Sequence, residues 1–461
     1  MNHPAVSRRT MISAMGLTLA AAACAPGSTS PQAGSGNTGG AGATPSAVNT
    51  DAASMGKVTL TVWDQEVRGG GNAQLTELVK RFESAYPNIT VKRVSRSFDD
   101  LTKTLRLALS GNDAPDVVQA NNTRSQLGQF VKARQLIPLD DYAKAYGWDT
   151  RFPESVRATA SYSPDARQFG TGNLYGVPQV GEVVGLYVNK AKLKALGVEA
   201  PQTWQDFESV LAKAAAKGEV GLMLGNLDKW PAIHVLGVVQ GRYEKAKDIR
   251  ELGYGNPGAS WLTPANTTAM NQLHDWVTKK YFNPGLNGLG YDPAWQAFSK
   301  GKGVFLIAGT WLGADLAAAM KDDVMFMLPP PATKGEVAHT TGGTGLPFAI
   351  TSKAKNPDAA AAFINFITDD KAMKVIAETG NLPVVGAKDQ KAPDAMTKDL
   401  FTAFSTASDA DALLPYLDWA TPTMGDTMGA ALQELLGGQK SAKDTLVALE
   451  KDYADFVAAN A

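Results

Sequence analysis

Apolar side chains at positions 58, 60 and 62 alternate with threonines through VTLTVW, the period-two pattern of a half-buried strand. The period changes at residue 72. In NAQLTELVKRFESAY, Leu75, Leu78, Val79 and Phe82 recur at i, i+3, i+4 and i+7, which predicts a helix with one apolar face. Pro87 and Asn88 end it, and ITVKRV predicts a second strand. DDLTKTLRLALSG places Leu101, Leu105 and Leu109 on one side of a second helix, with Gly111 just past its end. APDVVQA predicts a short third strand. This β-α-β-α-β order implies a parallel sheet with helices on both faces, and ligands of such sheets bind beyond the C-terminal strand ends.

A second α/β region follows. LYGVPQVGEVVGLYVNK (174–190) reads as extended segments crossing from one lobe to another. TWQDFESVLAKAAAKG predicts a helix capped by Thr203, VGLMLGN a strand, and TAMNQLHDWVTKKY an amphipathic helix. VFLIAG predicts a strand ending at Gly309. Thr310 is then the expected N-cap of a small-residue helix, which lifts Trp311 to the C-terminal edge of the sheet. LPFAITSKAKNPDAAAAFINFITDD reads as strand, turn and helix. The C-terminus predicts two helices, the second opened by a Ser441–Asp444 capping box. Gly342-Gly343-Thr344-Gly345 predicts a tight turn, because a phosphate-cradling loop would have to open a helix.

The chain has 461 residues, enough for two or three domains or one large two-lobed body. The 44 Lys and Arg nearly balance the 45 Asp and Glu, and no basic block occurs. Nucleic acid and anionic membrane surfaces are therefore poor electrostatic partners. Cys24 is the single cysteine, so an internal disulfide and a multi-thiolate metal site are excluded. Residues 1–24 combine Arg8-Arg9 with the short apolar run MISAMGLTLAAAA and end in LAAAAC, the grammar of an export signal with a lipoprotein cleavage site. Lipidation of Cys24 would hold the protein at the outer face of the cell membrane. Residues 25–56 are rich in Gly, Ala, Ser, Thr and Pro and predict a flexible tether.

Catalytic signatures are missing: there is no G-x-S-x-G, H-E-x-x-H, P-loop or complete G-x-G-x-x-G. His234, His274 and His339 lie far apart and lack metal-ligand spacing, so they are expected at the surface or in the core. Neither a metal nor a cofactor is expected. Asp64 and Glu66, two apart at the end of the first strand, could share one side as a carboxylate pair or serve as polar ligand contacts. Several tryptophans fall at element junctions: Trp63, Trp230, Trp311 and Trp419. A tryptophan face suits the C–H face of a sugar ring, and Asn, Asp, Glu and Gly neighbours suit its hydroxyl rim. Trp204, Trp261, Trp276 and Trp295, in helical or loop contexts, are expected to pack in the core.

An ordered series of patterns runs from about 58 to 455: VTLTVWD, FESAYPNITV, APDVV, LIPLDDY, YGVPQ…GLYVNK, TWQDF, NQLHDWV, AFSKGKGVFLIAGTW, LPFAI…AKNPDAAAAFINFIT and LLGGQKSAKDTL. The series resembles the extracellular solute-binding proteins of bacterial ABC importers, in the carbohydrate-binding group (family 1) that includes maltose-binding protein. The resemblance implies a type II periplasmic-binding-protein fold: two α/β lobes, each a sheet flanked by helices, joined by hinge crossings around a ligand cleft. It implies a first lobe of residues 58–180 and 342–388 and a second of 181–341 and 389–461. It places ligand contacts at Trp63, Asp64, Glu66, Asn121, Asn122, Glu182, Asn226, Trp230 and Trp311. The group's late aromatic has no clean match in this chain and Trp419 is taken in its place; Gly343 and Thr344 are added to the expected contacts. The sequence departs from maltose-binding protein at Gln119-Ala120-Asn121-Asn122, where that protein has an aromatic and an acid, so the sugar need not be maltose. The implied function is a monomeric, lipid-anchored receptor that hands a mono- or oligosaccharide to ABC permease subunits. An exported glycan-processing enzyme, or a receptor for a non-sugar ligand, remains an alternative.

Overall fold

The computed structural model describes residues 48–460. The expected signal, Cys24 and most of the expected tether lie outside the described residues. The tether expectation reaches residue 56, yet residues from 48 on belong to the folded body. Ala52 is buried, and the Asn88 side-chain amide donates to the carbonyls of Ala52 and Gly56 at 2.9 and 3.0 Å. A low-complexity composition gives no hint of a partner more than thirty residues away.

The strands in chain order are β1 (Val58–Asp64), β2 (Ile89–Ser95), β3 (Val117–Gln119), β4 (Ser161–Tyr162), β5 (Asn173–Leu174) and β6 (Gly181–Asn189). They continue as β7 (Leu222–Met223), β8 (Phe305–Gly309), β9 (Val324–Met327), β10 (Thr340–Thr344), β11 (Phe348–Ile350) and β12 (Leu413–Leu414). One sheet has the order β11-β3-β1-β2. Its β1 pairs in parallel with β2 and β3, as the β-α-β-α-β pattern predicts, while β11 joins β3 antiparallel. Strands β4 and β5 form a separate antiparallel pair. The second large sheet has the order β12-β10-β6-β8-β7. Its long strand β6 is buried along its whole length, with β8 on one flank and β10 and β9 on the other.

Helix signals carry over with small shifts at the ends. The first helix spans Gly69–Ala85 and buries Leu75, Leu78 and Phe82. Thr203 caps Trp204–Ala216 through a reciprocal capping box with Asp206. Ser441 and Asp444 form the expected pair, the Asp444 amide donating to the Ser441 hydroxyl at 3.0 Å. Trp204, Trp261 and Trp276 are core residues, as expected from their helical or loop contexts.

The chain passes between the two sheets three times, and the passages lie side by side. Val177 bridges Phe348 on the first sheet, and Gly181 opens β6 on the second. The Gly345 amide donates to the Val180 carbonyl at 2.9 Å, and the Gly181 amide donates to the Leu382 carbonyl at 2.9 Å. Thr340–Thr344 belongs to the second sheet, so this passage begins after Thr344 and not at 342 as expected. The Gly-rich run is accordingly a strand and not a tight turn. A free edge of β6 gives it a partner, and a Cβ on Gly342 would come within 2.6 Å of the Glu182 carbonyl oxygen.

The core of the first sheet rests on aromatic contacts that Phe82 makes with Tyr86, Phe363 and Phe366, at centroid distances of 5.2, 5.2 and 5.4 Å. Phe82 is fully buried. Phe82→Ala is expected to cost about 3–5 kcal/mol of unfolding free energy in urea denaturation, with the remaining folded protein keeping its ligand affinity.

Candidate functional site

A cavity lies where the loops at the C-terminal ends of β1, β3 and β8 meet the sheet crossings. Its first wall starts at β1. Asp64 ends that strand with its side chain fully buried, and Arg93 on β2 holds both its oxygens at 2.8 and 2.9 Å. Arg93 also donates to the Glu66 carbonyl at 2.7 Å. Gln119, at the end of β3, accepts from the Gln65 amide at 2.8 Å and donates to the Glu66 carboxylate at 3.1 Å. These bonds fix the loop and present Gln65, Glu66 and Arg68 to the cavity.

Asp64 is thus spent on structure and does not reach the cavity, contrary to expectation. Trp63 does not line it either, since its ring lies under the Arg96 guanidinium at 4.3 Å. Asn226 is fully buried; its side-chain Oδ1 accepts from the Ala232 amide at 3.1 Å, so it stabilises the start of helix Pro231–Tyr243. Gly343 pairs with Glu182 inside the sheet, where its φ of +132° suits a residue without a side chain. The other eight expected positions line the cavity: Glu66, Asn121, Asn122, Glu182, Trp230, Trp311, Thr344 and Trp419. Two of these are partly occupied. The Asn122 amide donates to the Thr159 carbonyl at 2.7 Å, and the Thr344 hydroxyl meets that of Thr159 at 2.7 Å.

The opposite wall is aromatic. Trp230 stands 6.0 Å from Phe98, 4.4 Å from Tyr291 and 5.4 Å from His234. His234 in turn lies 5.5 Å from Trp311 and 5.4 Å from Tyr416, and Tyr416 lies 5.3 Å from Trp419. Trp311 is partly buried, and its indole N–H donates to the Tyr291 hydroxyl at 2.6 Å. Gly309 matters here in a way its strand-end position only suggests: a Cβ there would overlap the Trp311 ring itself. Thr310 is not an N-cap. Its hydroxyl is buried and accepts from the Val183 amide at 3.3 Å, because a single 3₁₀ turn, Thr310–Leu312, precedes the helix Gly313–Met320.

Tyr416, Asp418, Arg68, Gln74 and His234 are cavity residues that the sequence reading did not select. Tyr416 and Asp418 sit beside Trp419 and could have been reached from it. His234 was expected at the surface or in the core. It is nine-tenths buried against the aromatics, and its Nδ1 has no hydrogen-bond partner.

Burial sets the electrostatics of the cavity. It pushes the Glu182 carboxyl up to about 7, opposed by a hydrogen bond from Tyr416 at 3.1 Å and reinforced by the nearby Glu66. Burial pushes Asp418 up to about 6 and Glu66 upward. It pushes His234 down to about 3, so this imidazole is neutral. Among the described residues, no three His, Cys, Asp or Glu side chains converge as a metal site would require, and no helix is long and apolar enough to cross a membrane.

The comparisons with known proteins agree with one another. The model of the family described as bacterial extracellular solute-binding protein matches residues 69–374. The multiple sugar-binding protein of Streptococcus mutans is 24% identical over 346 residues, covering 73% of this chain and 77% of that protein. The maltodextrin-binding protein MdxE of Bacillus subtilis is 26% identical over 372 residues, covering 77% and 81%. Among solved structures, a chitin oligosaccharide binding protein superposes with a TM-score of 0.75 at 23% identity, over 87% of this chain and 99% of that one. These likenesses confirm the two-lobed α/β fold of type II solute-binding proteins.

The Glu182 position yields a sign-specific prediction. Its folded pKa lies above the ordinary value of 4.5, so its stabilising contribution is complete below that value and is lost as pH rises through about 7. Ligand-free protein is therefore expected to lose stability relative to Glu182→Gln between pH 5 and pH 8, by up to about 3 kcal/mol. Urea denaturation of both proteins at the two pH values checks this; an unchanged difference contradicts it.

Proposed function

The chain belongs to the bacterial extracellular solute-binding protein family, and we propose that it captures a carbohydrate, preferably an oligosaccharide, in the cavity between its two sheets. The observation that carries this reading is the aromatic wall of Trp230, Trp311, Tyr416 and Trp419 facing a rim of Gln65, Glu66, Asn121 and Glu182 in one cavity. Indole faces cover the apolar side of sugar rings, and the rim groups exchange hydrogen bonds with hydroxyls. The curated relatives named for multiple sugars and for maltodextrin support the same ligand class.

The protein performs no covalent step in this reading. Of the two carboxylates that could have formed a hydrolytic pair, Asp64 is held by Arg93 outside the cavity. Binding works instead by population shift. A sugar touching both walls favours the arrangement in which the two sheets approach, with the three crossings as the hinge. We assign residues 58–177 and 348–379 to one lobe, and 181–344 and 395–460 to the other. The closed receptor would dock as a monomer on ABC permease subunits, with a lipid on Cys24 holding it at the outer face of the cell membrane. Residues 25–47 would be the tether.

Two measurements test this. In a thermal-shift screen over mono- and oligosaccharides, a ligand at 100 times its dissociation constant should add about 2.7 kcal/mol of stability. Trp311→Ala should then weaken that sugar at least about tenfold in calorimetric titration; loss of melting temperature with unchanged affinity rejects the platform role. For the anchor, Cys24→Ser is expected to release the protein from the membrane fraction into the medium. Persistence of the variant in the membrane fraction after its signal segment has been removed rejects lipidation at that residue.

A further inference from the structure

Three carboxyl side chains line the cavity, one from each of three chain segments: Glu66 after β1, Glu182 on β6, and Asp418 in the turn Leu417–Trp419. Arg68 is the one cation lining it among the described residues, and Asp292 holds its guanidinium at 2.9 Å. Within the protein, Glu66 is bonded by Gln119, Glu182 by Tyr416, and Asp418 by its own backbone amide. None of the three forms an ion pair; Arg68 and Arg93 attract Glu66 from a distance, and no cation among the described residues acts on Glu182 or Asp418. A neutral ligand entering this space would strip water from three carboxyls and return no charge to them.

We propose, on the basis of the carbohydrate-receptor reading above, that the cavity selects oligosaccharides bearing free, protonated amino groups over their neutral counterparts. An ammonium group gives a carboxylate a charge-assisted hydrogen bond, and the faces of Trp230, Trp311 and Trp419 attract cations as well as C–H groups. The acids do not converge on one point: no three His, Cys, Asp or Glu among the described residues could hold a metal ion. His234 supplies an independent observation. Nine-tenths buried and lining the cavity, it keeps Nδ1 without a partner in the protein, and a neutral imidazole adds no opposing charge. The upward displacement of Glu182 and Asp418 fits carboxyls that lack a counter-charge until a ligand arrives.

The test uses ligands that differ only at the C2 substituent. Calorimetric titration at pH 7.5 compares glucosamine di- and trisaccharides with their N-acetylated forms and with cellobiose and cellotriose, all of one linkage, together with the galactosamine, N-acetylgalactosamine and galactose monosaccharides. The expected result is at least about tenfold tighter binding of the free amines, weakened by added salt. Asp418→Asn should remove most of that preference while melting at a similar temperature. If that variant fails to fold, Glu66→Gln serves the same comparison. Equal or tighter binding of any neutral series overturns the inference and leaves the carbohydrate-receptor reading standing. So does binding of another neutral sugar alone. Binding of spermidine with no saccharide overturns both, and so does the failure of every saccharide to bind.

Discussion

Backbone pairing at the three crossings is the constraint on which the rest of the structure depends. Where the chain leaves one sheet for the other, its amides and carbonyls must still find partners. They find them in one another: Gly345 with Val180, Gly181 with Leu382, and Val177 with Phe348. Glycines at 181 and 345 allow the approach, since a Cβ on Gly181 would meet Phe404 at 2.9 Å and one on Gly345 would meet Val180 at 2.6 Å. A side-chain network of Gln74, Gln179 and Asn381, with bonds of 2.7 and 2.9 Å, ties the first helix to the same place. The paired crossings hold both sheets around one cavity.

Each cavity wall draws on that arrangement in a different way. The polar wall is braced from behind by an ion pair, Asp64 with Arg93, so that Glu66 can face forward. The aromatic wall is a chain of ring contacts from Phe98 to Trp419, anchored where Trp311 folds over Gly309 and donates to Tyr291. Between them sits Glu182, on a strand buried over its whole length, where burial, helped by the nearby Glu66, moves its carboxyl toward neutrality. The site combines area from rings, direction from amides and hydroxyls, and a charge balance tilted toward acid.

Much of the fold was legible because periodicity is local. Leu75, Leu78 and Phe82 face the core as their spacing requires, and the Thr203–Asp206 box starts its helix where the residues say it must. Sheet membership was harder to read. Thr340–Thr344 looks like a turn until β6 supplies a partner more than 150 residues away in sequence. The site divided along the same line. Trp230, Trp311 and Glu182 could be chosen from their positions at element ends and crossings. Trp63, Asp64 and Asn226 occupy comparable positions but are claimed by Arg96, Arg93 and the start of a helix, and no single-segment pattern announces such partners. His234 and Tyr416 were missed because a buried polar ring in an apolar helix or loop looks the same whether it faces core or cavity.

The most direct test of the central claim is a crystal structure of the protein with the saccharide that stabilises it. The account predicts a sugar ring in the cavity, stacked on Trp230, Trp311 or Trp419, with hydroxyl or amino contacts to Glu182 and to Glu66 or Asp418. A sugar bound elsewhere on the surface, with this cavity free of it, would contradict the account.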